Sequence, residues 1–176
     1  KTTGRPVRMA ITYIEELMAG NPRHPAVMTF KTGVKKDGSI TARQAHLVYD
    51  SGGYAAFKPQ RGVTYGSRCL GPYKIPNGLI DSYVVYTNQV PCGSMRAPGD
   101  PQSIFAAEAQ IDLIARELSI DPVQFRKMNL VQDGDVSSMG HQWQNVMGPR
   151  TLEAAVEEAG YQDPKPKSPG RLPGRG

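Results

Sequence analysis

Cysteine is almost absent from this chain: only Cys69 and Cys92 carry a thiol. They form neither a CxxC pair nor a metal-ligand array. That argues against a disulfide-stapled scaffold or a zinc knuckle. The two read as reduced, packed thiols of a cytoplasmic protein, with a single structural disulfide as the lesser alternative. Aromatic residues are sparse too, at 7% with one tryptophan, and no RNP-type aromatic pattern, helix-turn-helix signature or Arg/Lys stripe occurs. No apolar run approaches the length of a membrane span, and no signal-peptide pattern begins at Lys1. The chain also lacks an initiator methionine, and "KTTGRPVRMAITYIEEL" runs straight into patterned sequence. It reads as a piece cut from a longer polypeptide.

What is present suffices for one domain with a core: 176 residues, 39% of them hydrophobic. The formal net charge of +5 hints at nucleic acid, but Lys165, Lys167, Arg171 and Arg175 all sit in the tail "PKPKSPGRLPGRG". A Pro/Gly/basic stretch of that kind builds no core. Residues 163–176 therefore read as a tail or severed linker, and the remainder is only mildly positive. No nucleic-acid partner is expected.

Thr12 and Glu15 make a capping-box pattern ahead of a short helix that Gly20 can close. Asp37-Gly38 between two β-rich runs is a hairpin signal, which places strands near 26–35 and 39–49. Residues 50–77 are loop-like, and Ile80 to Thr87 reads as a third strand. Ile104, Ala107, Ile111, Ile114 and Leu118 fall at helical spacing on one stripe, which predicts a helix near 102–118. Glu108, Asp112 and Arg116 lie opposite, with Asp112 and Arg116 spaced as an i,i+4 ion pair. Asp121-Pro122 opens a second helix, 122–129, and a short amphipathic one is expected near 151–159, stopped by Gly160. The predicted fold is α+β, a small antiparallel sheet backed by helices.

The stretch "GSMRAPGDPQ", residues 93–102, is the chemically suggestive one. Asp100-Pro101 is a helix start, so the residues before it lie over the positive end of a helix dipole. Gly93 and Gly99 allow close approach of the backbone, and Arg96 is a planar, permanently charged fork suited to oxyanions. An anion site and a plain strand-to-helix turn with a solvated arginine both fit. Asp100 weighs against the first, since it already places negative charge at the helix end. His24, His46 and His141 show no ligand spacing and read as structural or exposed. Tyr49, Tyr54 and Tyr73 read as packing; Trp143 anchors its polar loop or faces a partner.

The longer stretch "GSMRAPGDPQSIFAAEAQIDLIARELSIDPVQFRKMNLV" resembles the molybdenum hydroxylases, the large subunits of the xanthine dehydrogenase, aldehyde oxidase and carbon monoxide dehydrogenase type. In that family the elbow usually reads R-G-x-G-x-P-Q, followed by an acidic/apolar helix and a "DP…R…N" segment. "GRPVRMAITYIEEL", "RHPAVMTFKTGVKKDGSITA", "GPYKIPN" and the closing "PGRG" resemble the same subunit in the same order. Residues 1–162 are thereby identified as part of a molybdopterin-binding domain.

The resemblance implies an oxidoreductase that hydroxylates an aldehyde, an N-heterocycle or a similar small molecule with water-derived oxygen. It implies a molybdenum cofactor, as molybdopterin or its dinucleotide form, with iron–sulfur clusters and FAD in other domains or subunits. Arg96 would contact the cofactor, with Gly93, Met95 and Gly99 as lesser contacts. Pro98 and Ala97 would line the substrate pocket. The family usually has an aromatic residue where Pro98 stands and glycine where Ala97 stands, which leaves the substrate open. No residue here is expected to ligate the metal directly. The family's upstream "GGGFGGK"-type segment and its downstream catalytic glutamate have no counterpart. Glu15, Glu16, Glu108 and Glu117 read as caps or solvated faces, so no catalytic residue is expected in this chain. Alone it is expected to be inactive and to hold no cofactor stably. The implied partners are the remainder of the large subunit, the iron–sulfur and flavin subunits, and the substrate. The competing class is a non-catalytic scaffold or interaction module of the same fold.

Overall fold

The Asp37-Gly38 turn folds as its chemistry dictates. In a computed structural model, which describes residues 2–54, 66–93 and 95–161, Gly38 adopts φ +91°, a conformation relaxed only for glycine. The Asp37 carboxylate accepts from the Ser39 hydroxyl and from its N–H at 2.9 Å, and those bonds hold the Asp37 acid below the usual range. The turn joins β1 (Ala26–Val34) to β2 (Ile40–Asp50). Burial alternates along both strands, as strands with one covered face require.

A third strand, β3 (Asn77–Val85), begins three residues before the expected Ile80, and the sheet order is β1-β2-β3. Asn77 Nδ2 donates to Thr41 O at 3.0 Å near the start of both strands. Near their ends the Ser51 N–H donates to Val85 O at 2.9 Å. β3 therefore runs parallel to β2. The architecture is α+β as expected, but the sheet is mixed rather than wholly antiparallel. Residues 51–76 are long enough for a crossover, whereas an antiparallel neighbour needs only a short turn. Within that connection a 3-10 turn spans Gly66–Leu70. Residues 55–65 of the expected loop and the tail 163–176 lie outside the described residues.

Four helices accompany the sheet among the described residues. The capping box forms on α1 (Tyr13–Ala19), and Gly20 closes it by donating its N–H to Glu16 O. α1 buries nothing. α2 (Asp100–Glu117) starts two residues before the expected boundary. Its buried side is Ser103, Ala107, Ile111 and Ala115, at four-residue steps along one face. Ile104, expected on that stripe, is 41% exposed because the buried face turns toward Ser103. α3 (Pro122–Asn129) is capped as expected, Asp121 accepting from the Val123 and Gln124 N–H groups. α4 (Gly148–Glu158) begins three residues before Thr151 because Pro149 fits its first turn. None of the described helices is long and apolar enough to cross a membrane.

The chain divides into two compact units, Lys1–Thr29 with Ala45–Cys69 and Ile80–Phe105, and Phe30–Gln44 with Leu70–Leu79 and Ala106–Gly176. In the first, Ala45, Leu47, Tyr49, Cys69 and Cys92 are buried. Neither cysteine is in a disulfide, and burial, aided by Asp50, pushes the Cys92 thiol up, which keeps it protonated and unreactive.

In the second unit, Ile40, Tyr73, Ile111, Phe125 and Val131 form the core. Beside it Arg126 donates from Nε and Nη2 to Glu108 Oε2 and from Nη1 to Asp112. Tyr73 Oη donates to the same Glu108 carboxylate at 2.8 Å. Asp112 thus pairs with α3 and not with Arg116 one turn along its own helix. A bidentate guanidinium bridging two carboxylates outcompetes a solvated single-helix pair. Replacing Arg126 strands a half-buried carboxylate, so Arg126→Leu is expected to lower stability by about 2 kcal/mol, read as a drop in the urea midpoint. In a Glu108→Leu background the loss should be much smaller.

Candidate functional site

The elbow of residues 93–102 lies wholly in the first unit, and Ser94 is its one residue outside the described set. Gly93 and Gly99 are buried, whereas Met95, Arg96 and Ala97 are exposed and Pro98 is half-buried. Among the described residues nothing accepts a hydrogen bond from the Arg96 guanidinium. Its main chain, by contrast, is held firmly. Arg23 Nη2 donates to Arg96 O at 2.9 Å and Arg23 Nη1 to Ala97 O at 3.2 Å.

Ala97 adopts φ +55°, the left-handed region that costs a non-glycine residue roughly 1 kcal/mol or more. Gly99 follows at φ +82°. Between them the two reverse the chain so that α2 can begin. The Ser103 N–H donates to Gly99 O at 3.1 Å, so Asp100 lies inside the first turn and is not the residue before it.

The Asp100 carboxylate does not stand alone at the helix start. Arg68 Nη1 contacts Asp100 Oδ2 at 2.6 Å, so the carboxylate at the helix start is offset by a cation. Arg23, Arg68 and Arg96 against one Asp100 leave this elbow with a positive balance. Asp100 Oδ1 and Gln102 Oε1 there are buried with no hydrogen-bond partner among the described residues. Buried acceptors of this kind are uncommon in native structures. The elbow thus offers an open cationic fork together with two acceptors that lack donors. A group bearing both oxyanions and N–H donors complements that set.

Gly93 plays a different part from a ligand cradle. A Cβ added there would lie 2.0 Å from Asn21 Oδ1, so the space that glycine opens is filled by Asn21. Tyr49 is fully buried beneath the elbow, its hydroxyl reaching Gly99 O at 3.4 Å. Burial raises its pKa, so it stays a neutral donor. Tyr73 is core in the other unit, and Tyr54 is exposed at φ +64°. His24 is buried, with Nδ1 donating to Asp50 O at 2.8 Å. His46 stacks obliquely on Tyr83, and His141 meets Trp143 edge-on. The Trp143 N–H donates to Asp135 O, and its carbonyl accepts from Gly134, so it ties its own loop. Asn21, Arg23, Arg68 and Gln102 escaped sequence reasoning. Arg23 lies in the "RHPAVMTF" stretch that resembles the family, yet nothing local marks it, because its acceptors are 73 and 74 residues away.

Most of the chain is similar to known proteins. A family described as "Molybdopterin cofactor-binding domain" matches residues 1–130. The "Nicotinate dehydrogenase large molybdopterin subunit" of Eubacterium barkeri is 34% identical over 165 residues, covering 91% of this chain and 39% of that protein. The "Aldehyde oxidoreductase" of Megalodesulfovibrio gigas is 33% identical over 141 residues, covering 80% of this chain and 15% of that protein. Among solved structures, the aldehyde oxidoreductase from Desulfovibrio gigas superposes with a TM-score of 0.69 at 32% identity, covering 78% of this chain and 16% of that one. Quinoline 2-oxidoreductase from Pseudomonas putida shares the fold at a TM-score of 0.80 and 24% identity, covering 90% and 21%. The chain spans less than two fifths of the length of these curated relatives.

Proposed function

From the premise that the chain belongs to the molybdopterin cofactor-binding domain family, that of the molybdenum hydroxylases, we propose that its elbow forms one wall of a hydroxylating active site. When bound, the molybdenum cofactor supplies transfer of a water-derived oxygen and accepts two electrons. Arg96 binds an anionic group of that cofactor through charge-assisted hydrogen bonds. Met95 and Gly99 add lesser contacts, and Gly93 acts through the packing of Asn21. Asp100 Oδ1 and Gln102 Oε1 accept from its N–H donors. Ala97 and Pro98 face the substrate.

The carrying observation is the exposed Arg96 fork, unpartnered among the described residues, on the same elbow as those two orphaned acceptors. A rigid proline in place of a flat aromatic ring shapes the pocket for a substrate held by edge contacts and not by stacking. An aldehyde or a small heterocycle satisfies that. Catalytic proton transfer, iron–sulfur clusters and flavin belong to other domains or subunits, and the assembly works in the cytoplasm.

The test is the molybdenum content of the complete gene product purified from cells that make the cofactor. A stoichiometric metal supports the reading; none leaves the non-catalytic scaffold. Position 98 has its own expected result. Pro98→Phe should change the ratio of kcat/KM between a heteroaromatic and an aliphatic aldehyde by about tenfold, the scale of one hydrophobic pocket contact. Molybdenum content should stay the same. A loss of molybdenum with unchanged preference would move Pro98 from the substrate side to the cofactor side.

A further inference from the structure

Four consecutive residues, Asn21-Pro22-Arg23-His24, each grip the elbow. The Asn21 side chain fills the space beside Gly93 Cα. Pro22 O accepts the Gly93 N–H at 3.2 Å. Arg23 bridges the carbonyls of Arg96 and Ala97. His24 O accepts Gln102 Nε2 at 2.8 Å. The clamp is itself rooted in the end of β2, through His24 Nδ1 to Asp50 O and the Asp50 N–H to Pro25 O at 2.9 Å. Asp50 Oδ1 in turn accepts from the Gly52 N–H and the Thr87 hydroxyl, both at 2.7 Å.

We propose that residues 21–24 are a positioning clamp for the elbow, with Arg23 as the positioning residue that sets the orientation of Ala97 and Pro98 toward the substrate. This rests on the reading of the elbow as one wall of the active site. The physical case lies in Ala97. Its left-handed backbone is unfavourable for alanine, and such strain persists only where surrounding structure over-determines it. Arg23 supplies that constraint, because its planar fork pins the two carbonyls that flank the Ala97 φ/ψ pair. Lysine cannot reproduce it: a single ammonium on a flexible stem lacks the fixed two-point geometry. Releasing the clamp would let Ala97 relax toward φ < 0, which rotates Pro98 away from its place. Arg96 would keep its charge and its reach, so turnover and preference should suffer more than cofactor retention. Small misplacements of this sort are kinetically large.

The experiment uses the complete protein as Arg23→Gln, Arg23→Lys, Ala97→Gly and the double variant Arg23→Gln/Ala97→Gly. Four quantities are read: kcat per bound molybdenum, KM, molybdenum content, and amide hydrogen exchange of Met95, Arg96, Ala97 and Gly99 in cofactor-free protein. Arg23→Gln is expected to lower kcat/KM about tenfold or more with molybdenum content within twofold, and to speed exchange at the elbow at least tenfold. Arg23→Lys should lie between it and the wild type. The double variant should recover part of the lost turnover, since glycine adopts the left-handed conformation without strain.

That rescue separates positioning from a merely structural role, which would lower the unfolding midpoint and gain nothing from a glycine at 97. Wild-type KM and wild-type kcat per molybdenum in Arg23→Gln would overturn the proposal, whatever the exchange result. So would unchanged exchange. If the protein never binds molybdenum, the proposed function fails by itself. Exchange in the cofactor-free protein then still decides whether residues 21–24 hold the elbow.

Discussion

Arg96→Ala should abolish most cofactor retention or turnover, by about 10²-fold on the scale of losing one preorganised donor to a developing or fixed anion, while leaving the fold intact. The two halves of that expectation have separate grounds. The guanidinium is solvent-exposed and bonds to nothing among the described residues, so its removal leaves no protein group unsatisfied. A surface truncation of that kind moves stability by about 0.5 kcal/mol or less. The conformation around it is kept by Arg23, which holds main-chain carbonyls and is indifferent to the side chain at 96.

An anionic cofactor group that lost Arg96 would lose its two-point donor, since Arg68 is committed to Asp100 and Arg23 to main-chain carbonyls. Arg96→Lys keeps the charge but not the bidentate fork, and should restore only part of the function. The measurement pairs metal content and kcat per metal with a thermal melt. A full metal complement at the wild-type rate in Arg96→Ala would remove the residue from the site. A large fall in melting temperature would show that it serves the fold instead.

Asn129→Ala should be among the more damaging substitutions to stability. The Asn129 side chain is 2% exposed and makes three bonds. Nδ2 donates to Gly38 O at 3.0 Å and to Phe125 O at 2.9 Å, while Oδ1 accepts from the Ile40 N–H at 2.9 Å. It therefore fastens the end of α3 to the turn between β1 and β2. Alanine leaves the Ile40 N–H and the Gly38 carbonyl buried without that partner, each such group costing about 1–3 kcal/mol. The expected loss is about 3 kcal/mol, or a midpoint lower by roughly 6–12 °C for a chain of this size.

Asn129→Asp sharpens the test. A carboxylate can still accept from Ile40 but must face two carbonyls, so its folded-state pKa rises above the ordinary value of about 3.9. The protonated acid can donate and the ionised one cannot. The Asp variant should therefore be least harmed at acid pH and lose stability as pH rises through that raised value. A loss in Asn129→Ala within about 0.5 kcal/mol of zero would mean that the hairpin does not depend on this tether.

Features that depended on neighbouring residues were legible in the sequence. Asp37-Gly38, the Thr12/Glu15 capping box and the Asp121 cap all act within three or four residues, and each formed as expected. The direction of β3 was not legible, because it is set by the path of a long connection and not by any residue pattern. The helix rotation that exposes Ile104 was hidden for a related reason. An apolar residue and a small one can occupy the same stripe in a pattern, and only packing decides which of them faces inward.

The elbow illustrates the limit most directly. The sequence singles out Arg96 because its charge, the glycines and the helix start are adjacent in the chain, and Ala97 stands where the resembling family usually has glycine. The offset of Asp100 by Arg68 was not, nor was the grip of Arg23. Their partners lie 32 and about 73 residues away, and neither side chain has a local signature.

That last separation has a consequence for synthesis. Residues 21–24 leave the ribosome well before the elbow they hold, since Arg23 precedes Ala97 by 74 positions. At about 5–20 residues per second the interval is roughly 4–15 s. Through that time Arg23 is a cation without its carbonyls, and no left-handed residue yet exists to be restrained. The nascent chain can form its hairpin early, because that needs only neighbours. The elbow has to fold back onto a clamp that has been waiting, and its shape is among the last features of the first unit to be set.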